Sequence, residues 1–175
     1  MLPLPAEVSR LLESLDAPRR LVAHLILVHD TACSMVAAFD QAWPALTYDR
    51  EAVRLGAAIH DIGKIIHPDE LRGPGHAHEA AGEILLLAQG WPEHLSRFAR
   101  THGQWSTLPA PSLDDLLVAL ADNWWRGRRD EVIESAVCAQ IAAQTHQSAW
   151  QVYLALTEIA DVITSSADER LRQTP

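Results

Sequence analysis

The chain has 175 residues, of which 48% are hydrophobic and 21% charged, as in an ordinary globular domain. Its formal net charge is −9 and its basic residues form no cluster, which argues against an extended nucleic-acid-binding surface. A small anionic ligand is compatible with this charge, because bound divalent metals supply local positive charge. No signal peptide opens the chain and no apolar run approaches the roughly 18 residues of a membrane span, so we expect a cytoplasmic protein without a membrane partner.

Apolar residues recur at helical spacing through the first third of the chain and predict three helices. The first covers residues 6–15. The second covers 18–39, begins at a proline and carries His29 in its middle. The third, which Thr47 or Asp49 can cap, runs through 53–59 and leads directly into the dipeptide His60-Asp61.

The middle of the chain places two more histidines on helices. Residues 68–75 contain two prolines and two glycines and predict a loop. Helical periodicity resumes at 77–89, with His78 in the first turn. A further helix at 93–101 is followed by His102 at its carboxyl end.

The last third continues the helical pattern. Ser112 with Asp115 predicts a capping box at the start of a helix that carries Asp122. Helices at 131–144 and 147–166 contain few catalytic groups and are interpreted as packing elements. Since no alternating strand pattern is present, we predict an all-α bundle of about seven helices.

The helical pattern predicts a single domain over residues 1–175. Its core is expected at 18–126, and the C-terminal packing helices at 130–166. The tail, residues 170–175, is expected to fray.

The dipeptide His60-Asp61 is followed by Lys64, the one lysine of the chain. Adjacent residues on a helix point about 100° apart, so one metal is hard to bind from both unless the helix ends there, and Gly63 is well placed to end it. Asp61 could instead bridge two metals with its two oxygens while His60 binds one of them. Two such metals can hold a shared hydroxide that attacks phosphorus.

Two cationic side chains are candidates for contact with a phosphate. The compact ammonium of Lys64 could touch a phosphate oxygen or balance Asp61. Arg126 follows Asp122 by one helical turn, and its planar guanidinium matches a phosphate. One of Trp124 and Trp125 could line the same site and stack a base.

Together these residues resemble the HD superfamily of metal-dependent phosphohydrolases. In that family a helix-borne histidine precedes a His-Asp pair and a distal aspartate follows it, and the matching residues here are His29, His60-Asp61 and Asp122. Members with two metals add two intermediate histidines, which match His78 and His102. The resemblance therefore implies a buried six-ligand dinuclear centre in a helical bundle of the HD-domain type.

The resemblance implies an enzyme in which metal-activated water attacks a phosphomonoester or phosphodiester. Fe or Mn is the expected metal, with Co, Ni, Zn or Mg left open. Gly103-Gln104-Trp105 departs from the cyclic-dinucleotide phosphodiesterases, and Lys64-Ile65 departs from the alarmone hydrolases. Hydrolases of small nucleotides are the remaining analogy, so we expect a small anionic substrate.

Several alternatives stay open from the sequence. His76 competes with His78, and His24 competes with His29, although His24 lies a turn and a half earlier on its helix and is expected to face elsewhere. The same ligand set resembles di-iron oxygenases of the superfamily that act on small organic substrates. A non-catalytic regulatory module that binds metal and nucleotide is a third reading, and a homodimer is left open.

Overall fold

A computed structural model describes residues 1–167 and 172, and within them the protein is all-α, as predicted, with no strand. The helices in chain order are α1 Ala6–Ser14, α2 Arg19–Ala42, α3 Arg50–Ile59, α4 Ala77–Ala88, α5 Glu93–Ser96, α6 Phe98–Gln104, α7 Leu113–Trp124, α8 Glu131–Thr145 and α9 Ala149–Ser165. Short 3₁₀ turns lie at Ile62–Ile65, Pro68–Leu71 and Trp105–Thr107. The predicted frayed tail lies outside the described residues, apart from residue 172.

Helix α2 is the central element of the core. By length and composition it could cross a membrane. Its apolar side chains Leu21, Leu25, Val28 and Phe39 are instead fully buried, and the helix packs against α3, α7 and α9. Half of its most apolar window is buried inside the fold, as is typical of a core helix that keeps one face toward the surface.

The amino ends of α3 and α7 are fixed by side-chain caps. Asp49 accepts a hydrogen bond from the amide of Ala52 at 2.9 Å. The predicted capping box of α7 is present, with Ser112 and Asp115 each bonding the other's amide. Asp115 also accepts a hydrogen bond from Thr101 at 2.9 Å, so α6 is tied to the start of α7.

The backbone of helix α4 lies in close contact with the 3₁₀ turn after α3 and with α6. A side chain on Gly63 would collide with the carbonyl oxygen of His78, so the turn after α3 and the first turn of α4 are in direct contact. A Cβ on Gly82 would lie 3.0 Å from the side chain of Ala99, so α6 is close to α4 in the same way. Three segments that carry predicted ligands therefore converge.

Candidate metal centre

His60 and Asp61 lie at the point where α3 ends. The helix stops at Ile59, four residues before the glycine expected to end it, and a 3₁₀ turn begins at Ile62. Asp61 has left helical geometry, with φ −98° and ψ 9°. The change of backbone direction lets both side chains face one point, and His60 and Asp61 are 0% and 2% exposed.

The two carboxylate oxygens of Asp61 face different partners. Oδ2 lies 3.0 Å from Nε2 of His24 and forms an ion pair with Lys64. Oδ1 lies 3.1 Å from Nε2 of His78 and 3.5 Å from Nε2 of His102. Each oxygen therefore belongs to its own group of nitrogen donors.

The group on the Oδ2 side contains His24, His60 and Asp122. The Nε2 atoms of the two histidines are 3.2 Å apart. Oδ1 of Asp122 lies 3.5 Å from each of them. Three donor atoms within 4.8 Å of one another can bind one metal ion.

The group on the Oδ1 side contains His78 and His102. Donor atoms of His60, Asp61 and His102 also lie within 4.8 Å of one another. The rings of His78 and His102 have centroids 5.5 Å apart. The structure thus brings together His60, Asp61 and three other predicted ligands, His78, His102 and Asp122, with the Asp61 carboxylate between the two groups of donors.

His60 and His102 are each held in a tautomer that suits a metal ligand. Nδ1 of His60 lies 2.9 Å from the carbonyl oxygen of Ala57, and Nδ1 of His102 lies 3.0 Å from that of Ala99. Because a carbonyl only accepts, each Nδ1 carries the proton and each Nε2 presents a lone pair to the centre. Such outer hydrogen bonds orient metal-bound histidines.

Glu70 has the same role for His78 and was missed by sequence reasoning. Its Oε2 lies 2.5 Å from Nδ1 of His78, and its oxygens accept from the amides of Ala77 and His78 at 3.1 Å. Burial would raise the pKa of Glu70, but these hydrogen bonds lower it to about 2. A glutamate eight residues before a histidine has no recognisable spacing, so the sequence carries no signal for it.

The carboxylates of the centre are anionic. Burial would raise the pKa of Asp61, but His60, His24 and His78 outweigh it and hold the pKa well below its usual range. The pKa of Asp122 is lowered despite burial, chiefly by its hydrogen bond with His60.

The histidine pKa values move in two directions. Burial and the neighbouring His60 lower the pKa of His102 to about 4, so its imidazole is neutral at pH 7. Burial lowers the pKa of His60 and His78, but the carboxylates beside them give both a net increase.

The residues fit a metal. Oδ1 of Asp61 and Nε2 of His78 are buried and have no hydrogen-bond partner among the described residues. With the proton of His78 on Nδ1, these two atoms are acceptors that face each other at 3.1 Å. A cation that binds both atoms would satisfy buried acceptors in this arrangement. Nitrogen and carboxylate donors suit first-row divalent ions.

His29 does not join this centre, and His24 takes the position predicted for it. Nε2 of His29 lies 3.5 Å from the sulfur of Cys33, and its charged neighbours are Asp30 and, from α3, Arg54 and Glu51. Five residues on a helix correspond to a rotation of about 140°, so one helix cannot direct both histidines to one point. The expectation for His29 is therefore corrected by the structure. His76, the rival of His78, is instead 2.7 Å from the carboxylate of Glu79.

The HD domain family model matches residues 8–124 of the chain. The protein belongs to the HD domain family. It is also similar to the Multifunctional CCA protein of Hahella chejuensis (strain KCTC 2396), with 42% identity over 59 residues. The similarity covers 34% of this chain and 14% of that protein, so it spans a small part of the relative. No solved structure matches the chain.

A cleft of about 720 Å³ opens over the metal centre of this HD domain. Asp61, His24 and Lys64 lie on its wall, so the centre is accessible from it. Lys64 is 20% exposed while it pairs with Asp61. Arg126, the other predicted phosphate contact, lines the same cleft beside Trp125, whose ring centroid lies 5.0 Å from that of His24.

Proposed function

We propose that this HD-domain protein is a metal-dependent phosphohydrolase that cleaves a phosphomonoester or phosphodiester of a small nucleotide. The observation that supports the proposal most is the position of Asp61. Its two oxygens face two separate groups of histidines, at 3.0 Å from His24 and 3.1 Å from His78. A carboxylate placed in this way can hold two ions side by side, which is the arrangement of two-metal phosphoester-cleaving sites.

Besides Asp61, five side chains would hold the two ions. They are His24, His60 and Asp122 on one side and His78 and His102 on the other. When bound, two divalent ions lower the pKa of water toward neutrality and neutralise charge on a phosphate oxygen. Fe or Mn is the proposed metal, because imidazole and carboxylate donors without thiolate suit both.

Lys64 is proposed to act on both the centre and the substrate. Its ammonium pairs with Oδ2 of Asp61 and also lines the cleft. An ammonium is a compact charge with three donors, so it can hold the Asp61 carboxylate with one proton and a phosphate oxygen with another. The ion pair fixes the ammonium at the wall of the cleft beside Asp61, where it would orient the scissile group.

The walls of the cleft favour a nucleotide as the substrate. Arg126 can bind a phosphate through two parallel hydrogen bonds. Trp125 precedes it and lines the same cleft, and an indole face can stack a base. A cleft of about 720 Å³ falls within the range of sites for small ligands.

Metal analysis followed by a substrate panel tests the proposal. The full-length chain would be purified, its metal content measured, and its activity assayed on nucleoside monophosphates, cyclic nucleotides and model phosphodiesters. The panel would be run with Fe and with Mn, and with and without ascorbate and O₂. Asp61→Ala is the decisive variant, and His94→Ala, at an exposed histidine outside the centre, is its matched control.

We expect close to two metals per chain. We also expect release of phosphate from a monoester, or hydrolysis of one ester bond of a diester. Asp61→Ala should lose both properties and His94→Ala should keep them. Full phosphoesterase activity in Asp61→Ala would contradict the mechanism. Consumption of O₂ with substrate, without phosphate release, would indicate an oxygenase instead. Binding of metal and nucleotide without any turnover would indicate a regulatory module.

A further inference from the structure

Three arginines line the cleft together with Lys64. They are Arg20, Arg72 and Arg126, and we call them the arginine rim. They come from three separate parts of the chain, namely the start of α2, the loop after the second 3₁₀ turn, and the residues that follow α7. All three side chains are exposed.

The arginine rim differs from the arginines that support the fold. Arg50, Arg97, Arg100 and Arg129 each donate to a carboxylate at 2.6–2.8 Å. Within residues 1–167, no rim arginine has a carboxylate within ion-pair distance. In a chain with net charge −9, acidic partners are abundant, so three unpaired arginines around one cleft point to an external anion.

Each rim arginine lies within four residues of a candidate metal ligand or of a residue that positions one. Arg20 precedes His24 by four residues, and Arg126 follows Asp122 by four. Four residues are about one helical turn, or about 6 Å along the axis. Arg72 follows Glu70, the partner of His78, by two residues. The rim arginines therefore line the same cleft as His24, Asp61 and Lys64, and each comes from a segment that also carries a residue of the centre or its support.

The phosphate to be cleaved has its own sources of positive charge. These are the ions held around Asp61 and the ammonium of Lys64. Three further guanidinium groups on the same cleft exceed what one phosphate needs. One guanidinium can donate two parallel hydrogen bonds to a phosphate. The three rim arginines therefore have enough donors to bind all the free oxygens of a second phosphate.

We infer that the cleft selects a substrate with a second phosphoryl group, bound by the arginine rim, in addition to the group that is cleaved. The inference rests on the proposed function for the cleaved group. The recognised chemistry is a phosphorylated nucleotide with a further phosphate, either next to the scissile group or on another position of the sugar. Nucleoside monophosphates would be bound less tightly because they leave the rim unoccupied.

Kinetics and calorimetry on the full-length chain test this inference. The ligands are adenosine 5′-monophosphate, adenosine 5′-diphosphate and adenosine 3′,5′-bisphosphate. The variants are Arg20→Gln, Arg72→Gln and Arg126→Gln. Arg19→Gln is the matched control, because Arg19 is the exposed neighbour of Arg20 on the same helix but does not line the cleft. Dissociation constants are measured with the protein as purified and after loading with Mn²⁺.

We expect the wild type to prefer at least one two-phosphate ligand, in both kcat/KM and Kd. Each rim variant should reduce this preference about tenfold, since a charge-assisted hydrogen bond contributes on the order of that factor or more. Arg19→Gln should retain it. A preference for the 5′-diphosphate would show that the second phosphate is next to the scissile group. A preference for the 3′,5′-bisphosphate would show that it is on another position of the sugar.

The inference is overturned if all three ligands have equal kcat/KM and Kd, or if Arg19→Gln changes the preference as much as the rim variants do. Equal values together with turnover would leave the proposed phosphohydrolase intact. Conversely, a protein without turnover that still prefers two phosphates through the rim would refute the proposed function and support the inference.

Discussion

Nδ1 of His78 donates to the carboxylate of Glu70 across 2.5 Å, while Nε2 of the same ring faces Asp61 at 3.1 Å. The ring is therefore held between the 3₁₀ turn Pro68–Leu71, which carries Glu70, and the candidate metal centre. Glu70 also accepts from the amides of Ala77 and His78 and so fixes the first turn of α4. One carboxylate thus determines both the tautomer and the position of a predicted ligand.

Replacing Glu70 should weaken binding of the metal on the His78 side. Loss of an outer hydrogen-bond partner costs about 10- to 100-fold in metal affinity. We expect Glu70→Ala to hold close to one metal per chain at concentrations where the wild type holds two, as measured by mass spectrometry of the bound metals. Asp69→Ala, at an exposed neighbour in the same turn, is the control. Two metals per chain in both variants would contradict the role of Glu70.

His24 and His29 give a second prediction, because they lie on one helix and only His24 faces Asp61. His24→Ala should lose metal on the His60 side and lower kcat by more than about 100-fold, since even outer partners cost about 10- to 100-fold. His29→Leu fills the same buried space without a donor and should keep both metal content and kcat. Metal analysis and phosphate release would be compared for the two variants. The reverse pattern would show that His29, and not His24, binds the metal.

The sequence predicted the helical class and most of the centre because the strongest signals were local. Helical periodicity gave α2, α4, α7, α8 and α9, and the capping box of α7 was readable from Ser112 and Asp115. The segment His60-Asp61 could be recognised as a candidate site because a His-Asp pair followed by the one lysine of the chain is unusual inside an apolar helical pattern. The predicted helix at 93–101 is divided at Arg97 into α5 and α6, since a boundary of this kind depends on packing.

The sequence could not predict how each helix is rotated about its own axis or how far apart the segments lie. His24 and His29 both fit the apolar pattern of α2, and only packing of that helix against α3 and α7 decides which one faces the centre. Glu70 is separated from His78 by a loop, and loop geometry brings them together. Arg20 and Arg72 likewise become neighbours of one cleft through tertiary structure alone.

Gly63 gives a third prediction, which concerns stability. A Cβ at this position would collide with the carbonyl oxygen of His78 and lie 2.6 Å from the amide nitrogen of Gly82, and neither backbone atom can move alone. Gly63→Ala should therefore reduce the free energy of unfolding by about 1–3 kcal/mol. Gly73→Ala, where the nearest atom would be 3.4 Å away, should change it little. Urea denaturation of the full chain measures both, and equal midpoints would contradict the close contact.

The buried carboxylate of Glu134 gives a fourth prediction, on the dependence of stability on pH. It accepts from Arg129 at 2.7 and 2.8 Å and from the indole of Trp124 at 3.2 Å, which joins α8 to α7. Burial alone would raise the pKa of Glu134, but these hydrogen bonds outweigh it and lower the pKa. The stabilisation is therefore complete above the unfolded-state pKa, about 4.3, and is lost as pH falls through the lower folded-state pKa.

Glu134→Gln should thus lower the free energy of unfolding by about 2–3 kcal/mol at pH 7, because the guanidinium of Arg129 loses its bidentate charged partner and keeps only Asp161. The difference from the wild type should begin to shrink as pH falls below about 4.3, where the carboxylate of the unfolded chain becomes protonated. Glu131→Gln is the matched control, since Glu131 is an exposed acid in the same first turn of α8. Urea denaturation at a series of pH values checks this, and a difference that stays constant down to pH 2 would show that packing, rather than charge, makes Glu134 stabilising.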